Sequence, residues 1–377
     1  MISMDTVLKR GYTAWDEEIL PVDEFDERIR AVREAMRARD LDALLLINYS
    51  MLGAMYEYAN IAYLAGLQSG GALVLTPDDP PALITFGGGR ELFFTRMQTW
   101  LDEVLPGKGD TYRAARDLLA ARGITSGAIA TVGLGSMPDA ARQQLESTFE
   151  GYRLEAFDEV LDTLRQSKRP REIMTIGIAK GIADDAAAAA ERVFTNGGTN
   201  TQAMIEAERI ARRAKARDVR ILANMDGGAL RPFEGRLAGR HAPLLLWVGV
   251  QYQGYWAEAA VTAPRVERSA ANETVAAMQA AVRSGARCSD VAVAALSKAP
   301  DDRRGALLAY GLGSAIGLSH EDGFRIEPES DQTLPAGALL TLRAVITGTP
   351  EASIATTLVA VTEQGARTIE PVRLDLS

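Results

Sequence analysis

Histidine is the side chain best suited to moving protons near neutral pH, and this chain has two, His241 and His320. His320 stands beside Glu321, and a well-placed imidazole can serve as a general acid or base. Two histidines and one cysteine exclude a metal cluster rich in either. No Gly-x-Ser-x-Gly elbow is present, and no Cys–His pairing is visible around Cys288, so the usual signatures of a nucleophilic hydrolase are absent. Gly311-Leu-Gly313 lacks the third glycine of a dinucleotide fingerprint. Phe86-Gly-Gly-Gly-Arg90 lacks the Lys-Ser/Thr of a phosphate loop. It reads instead as a flexible turn, suited to a subunit contact. What remains is imidazole, carboxylate, guanidinium and indole chemistry. The chain is organised around one stretch of that kind, Leu244-Leu-Leu-Trp-Val-Gly-Val-Gln-Tyr-Gln-Gly-Tyr-Trp-Ala-Glu258.

That stretch reads as a hairpin. Residues 244–250 form a buried strand, 251–254 turn the chain, and 255–261 return. Tyr255 and Trp256 point to opposite faces of the return strand, so only one can face a pocket. Upstream, Tyr12 and Trp15 anchor an irregular lead-in. Asp23 or Asp26 caps a helix over 24–39. Strands over 41–47, 71–76, 81–86 and 128–134 alternate with helices over 90–101, 111–122 and 139–148, which implies an α/β layer domain. The charged, Pro-containing stretch Ser167-Lys-Arg-Pro-Arg-Glu172 marks a boundary, giving domains 1–165 and 166–377. Beyond it, an Ala-rich helix over 172–194 ends at Asn196-Gly-Gly198, and Thr199 or Asn200 caps a helix to about 216. A strand over 219–223 precedes the hairpin. Helices then recur over 271–284, ended by Gly285, and 290–298, capped by Ser289. Strands follow over 339–346 and 353–361. Two helices followed by strands, twice over, is an internal duplication.

Composition narrows the classes further. A length of 377 residues fits two domains, and a net charge of −9 with pI near 5.1 argues against a nucleic-acid partner. No apolar run is long enough for a membrane span, and the N-terminus lacks the apolar core of a signal peptide. A single cysteine fits a reducing cytoplasm.

The hairpin, with Gly254-Tyr-Trp-Ala-Glu258 on its return arm, resembles the core of the pita-bread family, which includes methionine aminopeptidase, prolidase, aminopeptidase P and creatinase. Asn60-Ile-Ala-Tyr-Leu-Ala-Gly66 is similar to an N-I-x-Y-L-T-G segment in the N-terminal domain of creatinase and prolidase. Gly285-Ala-Arg-Cys-Ser-Asp290 looks like the creatinase side of the family. The resemblance spans essentially the whole chain. It implies a small creatinase-like α/β domain followed by a pita-bread domain with a pseudo-two-fold repeat, in the α/β (α+β) class. It also implies a homodimer, with one subunit's N-terminal domain near the other's cleft.

Peptidases of that family hold two divalent metals on five ligands, mostly carboxylates with one His. Carried over residue by residue, the first Asp falls on Trp247 and the second on Glu258. The ligand His falls on Ser314 in Gly313-Ser-Ala-Ile-Gly-Leu-Ser-His-Glu321, and the two glutamates fall on Arg343 and Thr356. A guanidinium at Arg343 stands where dications bind, and unit charges about 4 Å apart repel by about 4 kcal/mol at an effective dielectric of about 20. The resemblance therefore implies no metal and no cofactor. A His that acts as acid/base in creatinase falls on Leu230 of Asp226-Gly-Gly-Ala-Leu-Arg-Pro232, so that mechanism does not transfer. His320 matches a substrate-contacting His of the peptidases. It is either a general acid/base or a structural imidazole.

Glu258 is a base, an ammonium binder, or the ion-pair partner of Arg343 across the sheet. Trp247 is a stacking wall or a filler of the vacated metal cavity. Arg343 can clamp a carboxylate; Tyr255, Glu321 and Arg231 complete the candidate set. Three readings follow. One is a metal-independent enzyme acting on a carbon–nitrogen bond of a small carboxylate- or amino-acid-like substrate. Another is a biosynthetic enzyme, such as a cyclase, that reuses the cleft. The third is a non-catalytic binding protein. Convergent open polar groups favour the first two. A cleft plugged by Trp247 and a Glu258–Arg343 pair favours the third.

Overall fold

The computed structural model describes residues 14–48, 59–67, 70–226, 228–233, 238–265, 268–348 and 352–374. Tyr12 lies outside them. The described residues fall into two compact units that divide between Arg165 and Gln166.

The first unit is an α/β layer. Its elements run α1 (Val22–Arg37), β1 (Ala43–Asn48), α2 (Ala59–Ala65), β2 (Gly71–Leu75), β3 (Ala82–Thr85), α3 (Arg90–Arg96) and β4 (Glu103–Pro106). Then come α4 (Thr111–Ala121), β5 (Gly127–Val132), α5 (Asp139–Thr148), β6 (Tyr152–Ala156) and α6 (Asp158–Gln166). The strands form one mixed sheet in the order β4-β3-β2-β1-β5-β6. β1 is antiparallel to β2 and parallel to β5. Its residues Ala43–Ile47 are buried, as expected for a central strand with covered faces. Asn60-Ile-Ala-Tyr-Leu-Ala-Gly66 forms α2, closed by Gly66 at a φ of 67°. Neither Asp23 nor Asp26 caps α1. The helix starts at Val22 behind Pro21, which makes no side-chain cap, and Asp23 and Glu24 lie in its first turn, where acidic groups favour the helix dipole. The helix expected over 90–101 stops at Arg96, and the chain goes on to form β4 parallel to β3.

The second unit starts with α7 (Pro170–Thr195) and α8 (Asn200–Arg213), then β7 (Asp218–Ala223), β8 (Leu244–Tyr252) and β9 (Tyr255–Ala263). The pattern repeats with α9 (Ala270–Ala281) and α10 (Cys288–Leu296), followed by α11 (Arg304–Ala309), β10 (Gly313–Ala315), β11 (Leu339–Ile346), β12 (Ser353–Thr362) and β13 (Gly365–Thr368). Two antiparallel sheets result, β7-β8-β9 and β10-β11-β12-β13. Thr262 of β9 stitches them together: its hydroxyl donates to the Ile354 carbonyl at 3.2 Å and accepts from the Ile354 amide at 2.9 Å. Thr199 is the α8 cap, in a reciprocal pair with Gln202. Ser289 is not a cap. α10 begins one residue earlier, and the Asp290 carboxylate instead accepts from the Arg287 amide at 3.4 Å. α9 ends before Gly285 because Val282 turns extended and buries its side chain. Among the described residues no helix is long and apolar enough to cross a membrane.

Candidate functional site

The hairpin turn is tighter than its sequence suggests. Tyr252 pairs with Tyr255, leaving Gln253 and Gly254 at φ of 45° and 86°, the two positive dihedrals that match strand twist in a two-residue loop. That register sets Gly249 opposite Glu258 and Trp247 opposite Ala260. Residues directly opposite share a face, as do i and i+2, so Trp247, Gly249, Trp256 and Glu258 all lie on one side. Tyr255 lies on the other. Its hydroxyl donates to Glu172 Oε1 on α7 at 3.1 Å, so the structure does not bring it into the candidate pocket. Trp256 takes that place. Gly249 makes room for the indole, because a Cβ there would sit 2.8 Å from Trp247 Cη2.

The strands converge on one carboxylate. Trp247 Nε1–H donates to Glu258 Oε2 at 2.8 Å. Arg343 on β11 donates through Nη1 to both carboxylate oxygens, at 3.1 and 3.2 Å. His320, in the loop after β10, places Nε2 2.7 Å from Glu258 Oε1. Its ring meets the two indoles edge-on, with centroids 5.5 Å from Trp247 and 5.6 Å from Trp256. The Arg220 guanidinium lies 4.1 Å over the Trp256 ring. Glu258 is 2% exposed. Burial alone would raise its pKa, but the Arg343 charge and then His320 outweigh that and hold it at about 2. The carboxylate is therefore an anion at any ordinary pH.

The rest of this face is apolar. Leu230, Leu245, Trp247, Val345, Ala352 and Ile354 pack into one cluster, and the Leu230 amide donates to the Tyr310 hydroxyl at 3.0 Å. Ser314 is buried, and its Oγ has no hydrogen-bond partner among the described residues. Thr356 lies opposite Arg343 in the β11–β12 register. Glu321 is engaged by Arg325, whose Nε donates at 2.6 Å. Arg231 is half-exposed, 3.6 Å from Asp226. A cavity of about 220 Å³ reaches Arg343 between the Tyr310–Gly313 turn and Arg325. Glu321 also lines it.

This donor set does not fit a pair of divalent metals. Of the five positions only Glu258 offers a carboxylate, and its oxygens already face an indole N–H, a guanidinium and an imidazole. Among the described residues, no group of three or more His, Cys, Asp or Glu side chains is arranged to hold a metal ion. Of the groups near the site, the sequence left Trp256 undecided, as one of two alternatives, and did not single out Lys168 and Asp322 as a pair. Lys168 and Asp322 form a buried ion pair at 2.9 Å, and their separation in sequence leaves no local pattern to find.

Comparison with known proteins accords with this architecture. The profile of metallopeptidase family M24 matches residues 175–370, and that of the creatinase/prolidase N-terminal domain matches 28–167. No curated protein sequence matches the chain. Among solved structures, an X-Pro aminopeptidase from Thermotoga maritima is 18% identical, covering 91% of this chain and 97% of its own at a TM-score of 0.75. The prolidase from Pyrococcus horikoshii is also 18% identical, covering 92% and 99% at 0.70. The N-terminal domain of FACT complex subunit SPT16 from chickpea (Cicer arietinum) is 14% identical, covering 92% and 96% at 0.63. At these identities the likeness is one of fold.

Proposed function

The chain belongs to metallopeptidase family M24 and carries a creatinase/prolidase N-terminal domain, and from that premise we propose that its cleft is not a metallopeptidase centre but a metal-independent, non-catalytic remnant closed by its own side chains. One observation carries the reading: the Glu258 carboxylate accepts from Trp247 and from Arg343, with His320 Nε2 only 2.7 Å from its Oε1. A carboxylate held at about 2 is a weak base at neutral pH, because proton transfer is most efficient when the catalytic pKa lies near the working pH. Glu258 thus positions its neighbours and neutralises Arg343. Trp247 and the apolar cluster fill the space that substrate and metals would need.

A second reading rests on His320. An imidazole oriented by a buried carboxylate is a familiar acid–base arrangement, and the cavity at Arg343 offers a guanidinium to a small carboxylate-bearing substrate. That reading makes the protein a metal-independent enzyme acting on a carbon–nitrogen bond, with His320 moving the proton.

Assays on Xaa-Pro dipeptides with added manganese or cobalt separate peptidase chemistry from both readings. The expected outcome is no turnover above that of the Glu258→Ala variant. Turnover by the parent chain that disappears in Glu258→Ala would contradict the proposal.

A further inference from the structure

The Lys168–Asp322 pair is the strongest charged feature that neither reading uses. Both side chains are 2% exposed, and Nζ lies 2.9 Å from Oδ2. Burying two charges is costly unless geometry and further hydrogen bonds compensate, so such a pair marks a place where the fold fixes something. Asp322 lies two residues beyond His320, and the loop between them is built around the pair. A Cβ at Gly317 would fall 2.2 Å from Asp322 Oδ2 and 2.7 Å from Lys168 Cε, so glycine there leaves room for both. The Gly317 carbonyl accepts from the Trp256 amide at 2.8 Å, the Gly317 amide donates to the Ser319 carbonyl at 3.1 Å, and the Asp322 amide donates to Ala315 at 2.8 Å. The His320 loop is thereby fastened to β9, two residues before Glu258, and to β10.

Lys168 belongs to the segment that opens the second unit. Its own amide donates to the Gly337 carbonyl at 3.1 Å. Four residues on, Glu172 accepts from the Arg169 amide at 3.0 Å through Oε2 and from the Tyr255 hydroxyl through Oε1. Residues 166–172 are thus clamped twice, once to the His320 loop and once to the strand that carries Glu258.

We propose that the Lys168–Asp322 pair is a positioning device that holds His320 against Glu258 and makes residues 166–172 the coupling segment between the start of this unit and its cleft. The inference stands whether or not the cleft catalyses, because it concerns what places the imidazole.

The test is solution NMR of the full chain, with His241→Gln used to assign the His320 ring, and with Asp322→Asn compared to the parent. The expected result is a shifted, broadened His320 ring signal. Hydrogen exchange at the amides of residue 168 and Trp256 should rise about tenfold or more, a local opening, while the Leu342 amide inside β11 is unchanged. Should Asp322→Asn not fold, the neutral pair Lys168→Met/Asp322→Leu removes both charges without leaving one unpaired and is read the same way. An unmoved His320 signal, or exchange that rises equally at Leu342, would show the pair to be general structural support and overturn the proposal.

Discussion

Replacing Glu258 by alanine is expected to destabilise the second unit by about 3–5 kcal/mol, the range for breaking a buried pair and stranding its partner. The variant leaves the Arg343 guanidinium, 14% exposed, without its counter-charge, and the Trp247 N–H without its acceptor. Against a total stability of about 5–15 kcal/mol for a domain, that loss is large enough to be seen directly in urea titrations. Leu in place of Glu258 together with Met in place of Arg343 should recover much of it, since apolar replacement of a whole pair is often tolerated. A loss below about 1 kcal/mol for Glu258→Ala, the range of an exposed pair, would mean that the carboxylate is not the hub of the cleft.

The same carboxylate should make stability fall in acid. Its folded pKa of about 2 lies below the ordinary 4.5, so the folded chain binds this proton less readily than the unfolded one. Its contribution is fully present above about 4.5 and is lost as pH falls towards 2. At roughly 1.4 kcal/mol for each tenfold change in proton affinity, it amounts to about 3 kcal/mol. Denaturant titrations of the parent and Glu258→Gln across that window isolate it from the other carboxylates. The parent should lose about 3 kcal/mol more than the variant between pH 5 and pH 2, taking these as approximate limits of the window. Parallel curves would refute the depressed pKa.

Much of this was legible in the sequence because strands alternate sides. The apolar run from Leu244, the glycine at 254 and the aromatic pair that follows it specify a hairpin, and the hairpin specifies which residues share a face. The pairing of Glu258 with Arg343 was one of the alternatives that residue types allowed, and the structure holds it at 3.1 Å. Alternation fixes only relative sides, however. It could not say which of Tyr255 and Trp256 faces inward, since that depends on α7 covering the Tyr255 side. Nor does a periodic signal reach the three-residue β10 or β4 after α3, where one pairing partner replaces local propensity. Lys168 and Asp322 are invisible to any local pattern because only the folded chain joins them.

On the proposed reading, the M24 cleft here is closed by its own charges instead of built around metals. Calorimetric titration of the purified chain with manganese, alongside elemental analysis of the protein as isolated, tests this most directly. The account predicts no stoichiometric uptake and no difference between the parent and Glu258→Ala. Tight binding of one or more equivalents per chain, abolished by Glu258→Ala, would contradict it.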